Sequence, residues 1–173
     1  MTQRICIERL EKNHNRNFFD CGEEKLNSYL QKHAGQDIKK HVSAVYVAVL
    51  LDSPSIIIGF YTLSAAQMDI SNIPSEIAKT LPRYPLLPAF RIGRLAINKE
   101  QQNLGVGKML LLDALYKCFV SDIGGIAVIV EAKNEKAISF YKKYGFIQLP
   151  EQPLNMFLPM KVIKNLFTVS TSL

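Results

Sequence analysis

An α/β layer fold with a mixed sheet follows from three features of the sequence. Runs of β-branched and aromatic residues alternate with stretches of helical spacing; Gly, Pro, Asn or Asp mark the turns between them; and the elements come in the order β-α-β-β-β-α-β-α-β-β. Ile5 and Ile7, with Arg9, alternate as a first strand. Asp20 stands where an N-cap belongs, and Leu26, Tyr29, Leu30 and His33 then share one face of a helix over residues 21–34. Residues 42–51 and 55–66 are β-rich and separated by Asp52-Ser53-Pro54, which predicts an antiparallel hairpin. A fourth strand is predicted over 89–97, a helix over 104–121, and a fifth strand over 126–131 after Gly124-Gly125. Asn134 caps a helix that ends at Tyr144, with Gly145 just past its end. Strands at 146–149 and 154–162, a helical turn over 163–167 and a frayed tail from Thr168 complete the chain.

With 173 residues, 48% of them apolar, the chain can build one substantial core, and without repeats or Gly/Ser linkers it reads as a single domain over 1–173. Its 21 Lys and Arg against 15 Asp and Glu give +6 and exclude an acidic disordered chain. A basic surface suits an anionic partner such as nucleic acid, a phosphate-bearing cofactor or a membrane surface. Spanning a bilayer is excluded, since the most apolar stretch, 109–120, carries Asp113 and Lys117. The first residues run into charge without an apolar core, so no signal peptide is expected. Cys6, Cys21 and Cys118 lie far apart with no CxxC pair, which predicts neither disulfide nor metal, and a reducing cytoplasm. The one compositional break is 67–88, where Pro74, Pro82, Pro85 and Pro88 flank a short helical piece over 75–80. It predicts a long ordered excursion between two strands, of the kind that lines a site.

Chemistry concentrates between Arg94 and Lys108. A strand ends in Leu95-Ala96-Ile97, a polar loop follows, and Gln102-Asn103-Leu104-Gly105-Val106-Gly107-Lys108 opens a helix. Two glycines permit close backbone approach, and the unpaired amides of a helix's first turn, aided by its dipole, favour a pyrophosphate. The pattern is no P-loop, because Met109 stands where Ser or Thr should follow the lysine. A dinucleotide fingerprint is excluded by the missing third glycine and by the strand's place as fourth rather than first.

Gln102-Asn103-Leu104-Gly105-Val106-Gly107 resembles the acetyl-CoA signature of the GNAT superfamily of N-acetyltransferases. Asn134-Glu135-Lys136-Ala137-Ile138-Ser139-Phe140-Tyr141-Lys142-Lys143-Tyr144-Gly145-Phe146 is similar to that family's second motif. Phe19-Asp20-Cys21-Gly22, residues 59–64, Pro82-Arg83-Tyr84-Pro85 and Gly93-Arg94-Leu95-Ala96-Ile97 extend the likeness to the acetyltransferase toxins of bacterial toxin-antitoxin pairs. The resemblance implies a GNAT fold, with a mixed, mostly antiparallel sheet of about seven strands and about four helices. It implies transfer of acetyl from acetyl-CoA by direct attack of the α-amine of aminoacyl-tRNA, which halts translation. It further implies a small DNA-binding antitoxin and a homodimer, with no metal and no membrane. The pantetheine arm would lie along Leu95, Ala96 and Ile97, with Asn134 and Phe140 near it, and the pyrophosphate on residues 102–108. Acetylation of a protein N-terminus or a small amine, and a non-enzymatic CoA- or RNA-binding module, are the rival readings.

By the same resemblance Tyr141 is the general acid. A phenol with a pKa of about 10 stays protonated at neutral pH and can protonate a leaving thiolate. Without the motif, Tyr141 would read as a packing residue beside Ala137 and Tyr144. No base is obvious: His14, His33 and His41 read as surface or packing residues, and Glu131, at the end of the fifth strand, is a candidate functional carboxylate. An α-amine, with a pKa near 8, needs little help to become neutral. Lys39-Lys40-His41, Arg83, Arg91, Arg94 and Lys142-Lys143 could follow tRNA phosphates, with Arg83 and Tyr84 as the expected acceptor contacts and one of Arg91 and Arg94 expected in a structural ion pair.

Overall fold

The computed structural model describes residues 2–168. In chain order the elements are β1 (Ile5–Arg9), α1 (Glu24–Ser28), a π-helical stretch (Tyr29–His33), α2 (Ala34–Lys39), β2 (Ala44–Leu50), β3 (Ser53–Asp69), α3 (Ser75–Ala78), β4 (Leu86–Ile97), α4 (Val106–Phe119), β5 (Ala127–Glu131), α5 (Glu135–Lys143), β6 (Ile147–Leu149), β7 (Gln152–Pro159) and α6 (Met160–Thr168). The strands form a mostly antiparallel sheet in the order β1-β2-β3-β4-β5-β7-β6. The described residues gather into two compact units: 2–64 with Ile92–Ala114, and Ala65–Arg91 with 115–168.

In the first unit β1 pairs antiparallel with β2, Ile5 opposite Leu50, and β2 with β3, Ala44 opposite Leu63. β2 is buried almost throughout, as its unbroken apolar sequence requires. Phe60 on β3 is fully buried, edge-on to Phe19 at 5.4 Å and stacked with Tyr29 at 6.2 Å; Leu30, Ala34, Val45 and Val47 complete that cluster. Burying one such aromatic contributes roughly 1.5–3 kcal/mol. The first helical region continues to Lys39, beyond the expected end at 34, because Ile38 extends its apolar face and the Tyr29 hydroxyl donates to Asp37 Oδ2 at 2.8 Å. Asp20 is not its N-cap, a correction to the sequence reading. Glu23 holds that position, while Asp20 Oδ1 accepts from the Gly22 amide at 2.9 Å and from Asn27 Nδ2 at 3.0 Å. The left-handed Gly22 (φ 87°) turns the chain before the helix begins, and Asp20 bonds the Gly22 amide and the Asn27 side chain rather than a first-turn amide of the helix. α4 starts at Val106, later than the expected 104, because left-handed Asn103 and Gly105 keep the preceding residues out of the helix. Its buried side, with Val106, Leu110 and Ala114, seats on Gly59. There a Cβ would come within 2.9 Å of Leu110 and 3.1 Å of the Ala96 carbonyl, so only glycine lets helix and strand meet. The Tyr61 hydroxyl fixes the same helix by donating to Asp113 Oδ2 at 2.7 Å.

In the second unit β7 pairs antiparallel with β5 and β6, so that Phe157 faces Ile129 and Ile147. The expected excursion over 67–88 is shorter than the sequence suggested, since β3 runs to Asp69 and β4 starts at Leu86. Asp69 caps a 3-10 turn over Ile70–Asn72 by accepting the Ser71 amide, and α3 follows. Ile73, Ile77 and Leu81 then pack on Met68, Ala89, Ala127 and Phe157, which explains why this proline-rich segment is ordered. At the C-terminus a nine-residue helix replaces the expected turn, because Ile163 is fully buried and Phe167 stacks on Phe119 at 5.6 Å and meets Tyr116 edge-on at 5.3 Å. The expected tail beyond Thr168 lies outside the described residues.

Gly125, which introduces β5, has a packing role as well as a turn role. A Cβ there would meet the Phe90 ring at 2.3 Å. Gly125→Ala is therefore expected to lower Tm by roughly 5 °C through overpacking, measured by calorimetry. Adding Phe90→Leu should recover part of that loss, and an unchanged Tm in the single variant would show the contact to be slack.

Candidate active site

The loop that leaves β4 is held by three internal ties within the first unit. Asn98 Oδ1 accepts the Glu100 amide at 3.0 Å and starts a 3-10 turn over Lys99–Gln101. Gln102 Nε2 donates to the carbonyls of Ile97 and Cys21, both at 3.1 Å. Lys99 bonds Asp20 twice, backbone amide to carbonyl at 2.9 Å and Nζ to Oδ2 at 2.7 Å. The Lys99 hydrogen bond, followed by those from Gly22 and Asn27, holds the Asp20 carboxyl down at about 2. A lowered pKa means that the contribution of this group to stability is present above its ordinary value of 3.8 and is lost as pH falls through about 2.

Past Gln102 the backbone turns left-handed at Asn103 (φ 62°) and again at Gly105 (φ 88°), so Leu104 between them is exposed and α4 can begin with a free first turn. Its first ladder bond runs from the Met109 amide to the Gly105 carbonyl at 3.2 Å. The amides of Val106, Gly107 and Lys108 therefore precede any intrahelical acceptor. A Cβ on Gly105 would meet nothing within 4 Å, so the space before the helix is open, and the exposed Lys108 adds a positive charge there. The arrangement fits a diphosphate in donor number, dipole sign and charge. Leu95 and Ile97 are half-buried and Ala96 buried at the end of β4, as expected of the strand that leads into the cradle.

In the second unit Asn134 Oδ1 accepts the Ala137 amide at 2.9 Å and caps α5, leaving its side-chain amide group to donate elsewhere. The helix buries Ile138 and Tyr141 and exposes Lys142 and Lys143. The Tyr141 ring lies 5.2 Å from both Phe140 and Phe146. Burial pushes its phenol up to about 12, and its hydroxyl makes no hydrogen bond to another described residue. The phenol is thus protonated at neutral pH and its proton uncommitted, as a general acid requires.

Arg91 and Glu131 line one cavity of the second unit, of about 240 Å³, together with Met68, Ile129 and Met156. Arg83 and Tyr84 lie exposed on the excursion and outside that cavity. Arg94 belongs to the first unit, where its guanidinium sits 3.6 Å over the Tyr29 ring, a packing position rather than a free charge. His14 is buried, with Nδ1 accepting the Glu11 amide at 2.9 Å and Nε2 2.8 Å from Glu8, so it is a structural residue. His33, Lys39, Lys40 and His41 are exposed. Among the described residues no group of His, Cys, Asp or Glu is gathered that could hold a metal ion, and no helix is long and apolar enough to cross a membrane. Sequence reasoning missed the Gln102 and Lys99 ties and the cavity. For the cavity a signal existed: Gln67 and Asp69 end β3, and Glu131 ends β5, with polar residues on otherwise apolar strands.

Residues 78–162 match the family model described as an acetyltransferase (GNAT) domain. A protein of Sinorhizobium fredii named probable toxin TacT is 31% identical over 92% of this chain and 93% of its own length. A tRNA-acetylating toxin of Mycobacterium tuberculosis is 30% identical over 83% of this chain and 84% of its own. Among solved structures, a tyrosine-to-phenylalanine mutant of KacT superposes with TM-score 0.89 at 34% identity, covering 95% of this chain and 100% of that one. AtaT complexed with acetyl-methionyl-tRNAfMet gives 0.87 at 32%, covering 95% and 99%. Identity at this level over most of both chains settles the assignment: the chain belongs to the GNAT acetyltransferase family, among the TacT-like toxins.

Proposed function

We propose that this acetyl-CoA-dependent enzyme acetylates the α-amine of aminoacyl-tRNA in the bacterial cytoplasm and so acts as a translation-blocking toxin. A small DNA-binding antitoxin and a second copy of the chain are its proposed partners. The observation that carries the reading is the near-complete likeness to AtaT, whose solved complex holds acetyl-methionyl-tRNAfMet. AtaT has also been solved with the antitoxin AtaR, and KacTA with DNA.

Acetyl-CoA supplies an activated acetyl thioester. Amides of Val106, Gly107 and Lys108 are the proposed diphosphate donors, Leu95, Ala96, Ile97, Asn134 and Phe140 are the proposed residues for the arm, and Gln102, Asn103, Leu104 and Gly105 shape the loop. The neutral amine attacks the thioester carbonyl, the N–C bond forms and the C–S bond breaks. Tyr141 gives its phenolic proton to the departing sulfur and regains one from solvent as the amine loses its own. The phenol, pushed to about 12, remains a proton donor across the working pH range. The exposed positive charges of Lys39, Lys40, Arg83, Lys142 and Lys143 suit a phosphate backbone.

Labelled acetyl-CoA offered with charged tRNA, an N-terminal peptide and a polyamine tests the reading. Label is expected on charged tRNA alone, and on expression growth should arrest. Label on the peptide or polyamine with none on charged tRNA would overturn it.

A further inference from the structure

The cavity of the second unit presents one guanidinium, Arg91, and two carboxylates, Asp69 and Glu131, none of them ion-paired among the described residues. Arg91 and Glu131 are exposed, and neither makes an ion pair among the described residues, although both line the same space. Of the two carboxylates, Asp69 is held in place, its Oδ1 accepting the Ser71 amide at 2.9 Å and the Ser71 hydroxyl at 2.7 Å. Beneath these charges Met68 and Met156 are buried and Ile129 is half-buried. A volume of about 240 Å³ is below the roughly 300–1,000 Å³ of drug-sized pockets and suits one amino-acid residue. The charged end of an aminoacyl-tRNA offers an ammonium and a side chain on one carbon, and a phosphate about eight bonds from that nitrogen, across the ester and the ribose.

We propose that this cavity holds the aminoacyl group of the acceptor, with Glu131 on its ammonium, Met68, Ile129 and Met156 under the amino-acid side chain, and the exposed Arg91 on the 5′-phosphate of the last nucleotide outside it. The inference rests on the aminoacyl-tRNA reading above. Glu131 and Arg91 are binding residues here, and both methionines can adjust to side chains of different shape.

Steady-state kinetics of the full chain with purified aminoacyl-tRNA and labelled acetyl-CoA tests this. Glu131→Gln is expected to raise KM for aminoacyl-tRNA about tenfold, the usual scale for a lost charge-assisted hydrogen bond. Its kcat and its KM for acetyl-CoA should stay within about twofold. The same variant should leave inhibition by uncharged tRNA unchanged, because that molecule has no ammonium to lose. Arg91→Gln is expected to weaken both charged and uncharged tRNA and to reduce the slope of log affinity against log salt by about one. Both side chains are exposed, so neither change should disturb folding, which a melting curve verifies. Wild-type KM in both variants, or a fall in kcat at unchanged KM, would overturn the cavity assignment while leaving tRNA acetylation intact. Absence of tRNA acetylation by the wild-type chain would instead overturn the functional reading and the cavity assignment with it.

Discussion

Tyr141→Phe is expected to lower kcat for acetyl transfer by about 10²–10⁴-fold, the usual worth of a positioned acid, while the Kd of acetyl-CoA stays within about twofold. The ring's packing against Phe140 and Phe146 does not involve the hydroxyl, so the fold should survive. The pH profile supplies a second readout. Wild-type activity should rise as the acceptor amine deprotonates near pH 8 and, because burial holds the phenol at about 12, show no falling limb up to about pH 10. An amide-linked acceptor is needed there, since the natural ester hydrolyses in base. The same raised pKa makes the unfolded chain release this proton first. Its contribution to stability is therefore complete below the ordinary value of 10.0 and is lost as pH rises toward about 12; Tyr141→Phe removes that part of the alkaline destabilisation. A Tyr141→Phe enzyme within threefold of wild type would remove the acid from the mechanism.

Where local chemistry decides structure, the sequence was readable. Asn134, three residues before Ala137, announced the cap of α5, and Gly145 with φ 93° ends that helix as its spacing implied. Gly105 likewise had to be a glycine or asparagine type of position, and the resemblance put it in the cradle. What escaped the sequence depends on partners far along the chain. Asp20 had the right residue type and spacing for a cap, but Gly22, Asn27 and Lys99 claim its oxygens first, and no periodicity reports a bond to a residue 79 positions away. Arg91 and Arg94 look alike in sequence, three residues apart on one strand, yet one faces an open cavity and the other stacks on Tyr29. The helix at the C-terminus was underestimated because a short apolar run gives too few turns for a period to be read; Ile163 and Phe167 gain their reason to be helical only by packing.

The second large effect is expected at Gln102, whose side chain is the tie between the end of β4 and the cradle. Gln102→Ala removes the donor from two carbonyls, Ile97 and Cys21, at about 0.5–1.5 kcal/mol each. It also frees a loop that must pass through two left-handed residues before α4 begins, so part of the cost of ordering Asn103 and Gly105 is transferred to coenzyme binding. The sum predicts a Kd for acetyl-CoA raised about ten- to a hundredfold by calorimetric titration, with kcat at saturating acetyl-CoA changed by less than about threefold. Gln102→Glu is the sharper probe. It keeps the shape but sets a carboxylate against two carbonyl oxygens, so it should bind coenzyme no better than Gln102→Ala. Lys99→Met, which cuts only the exposed pair with Asp20 and keeps the Lys99 backbone bond, should have a small effect by comparison. Coenzyme affinity at the wild-type level in Gln102→Ala would mean that the first turn of α4 holds its geometry without the tie, and that the signature glutamine acts on something other than the loop.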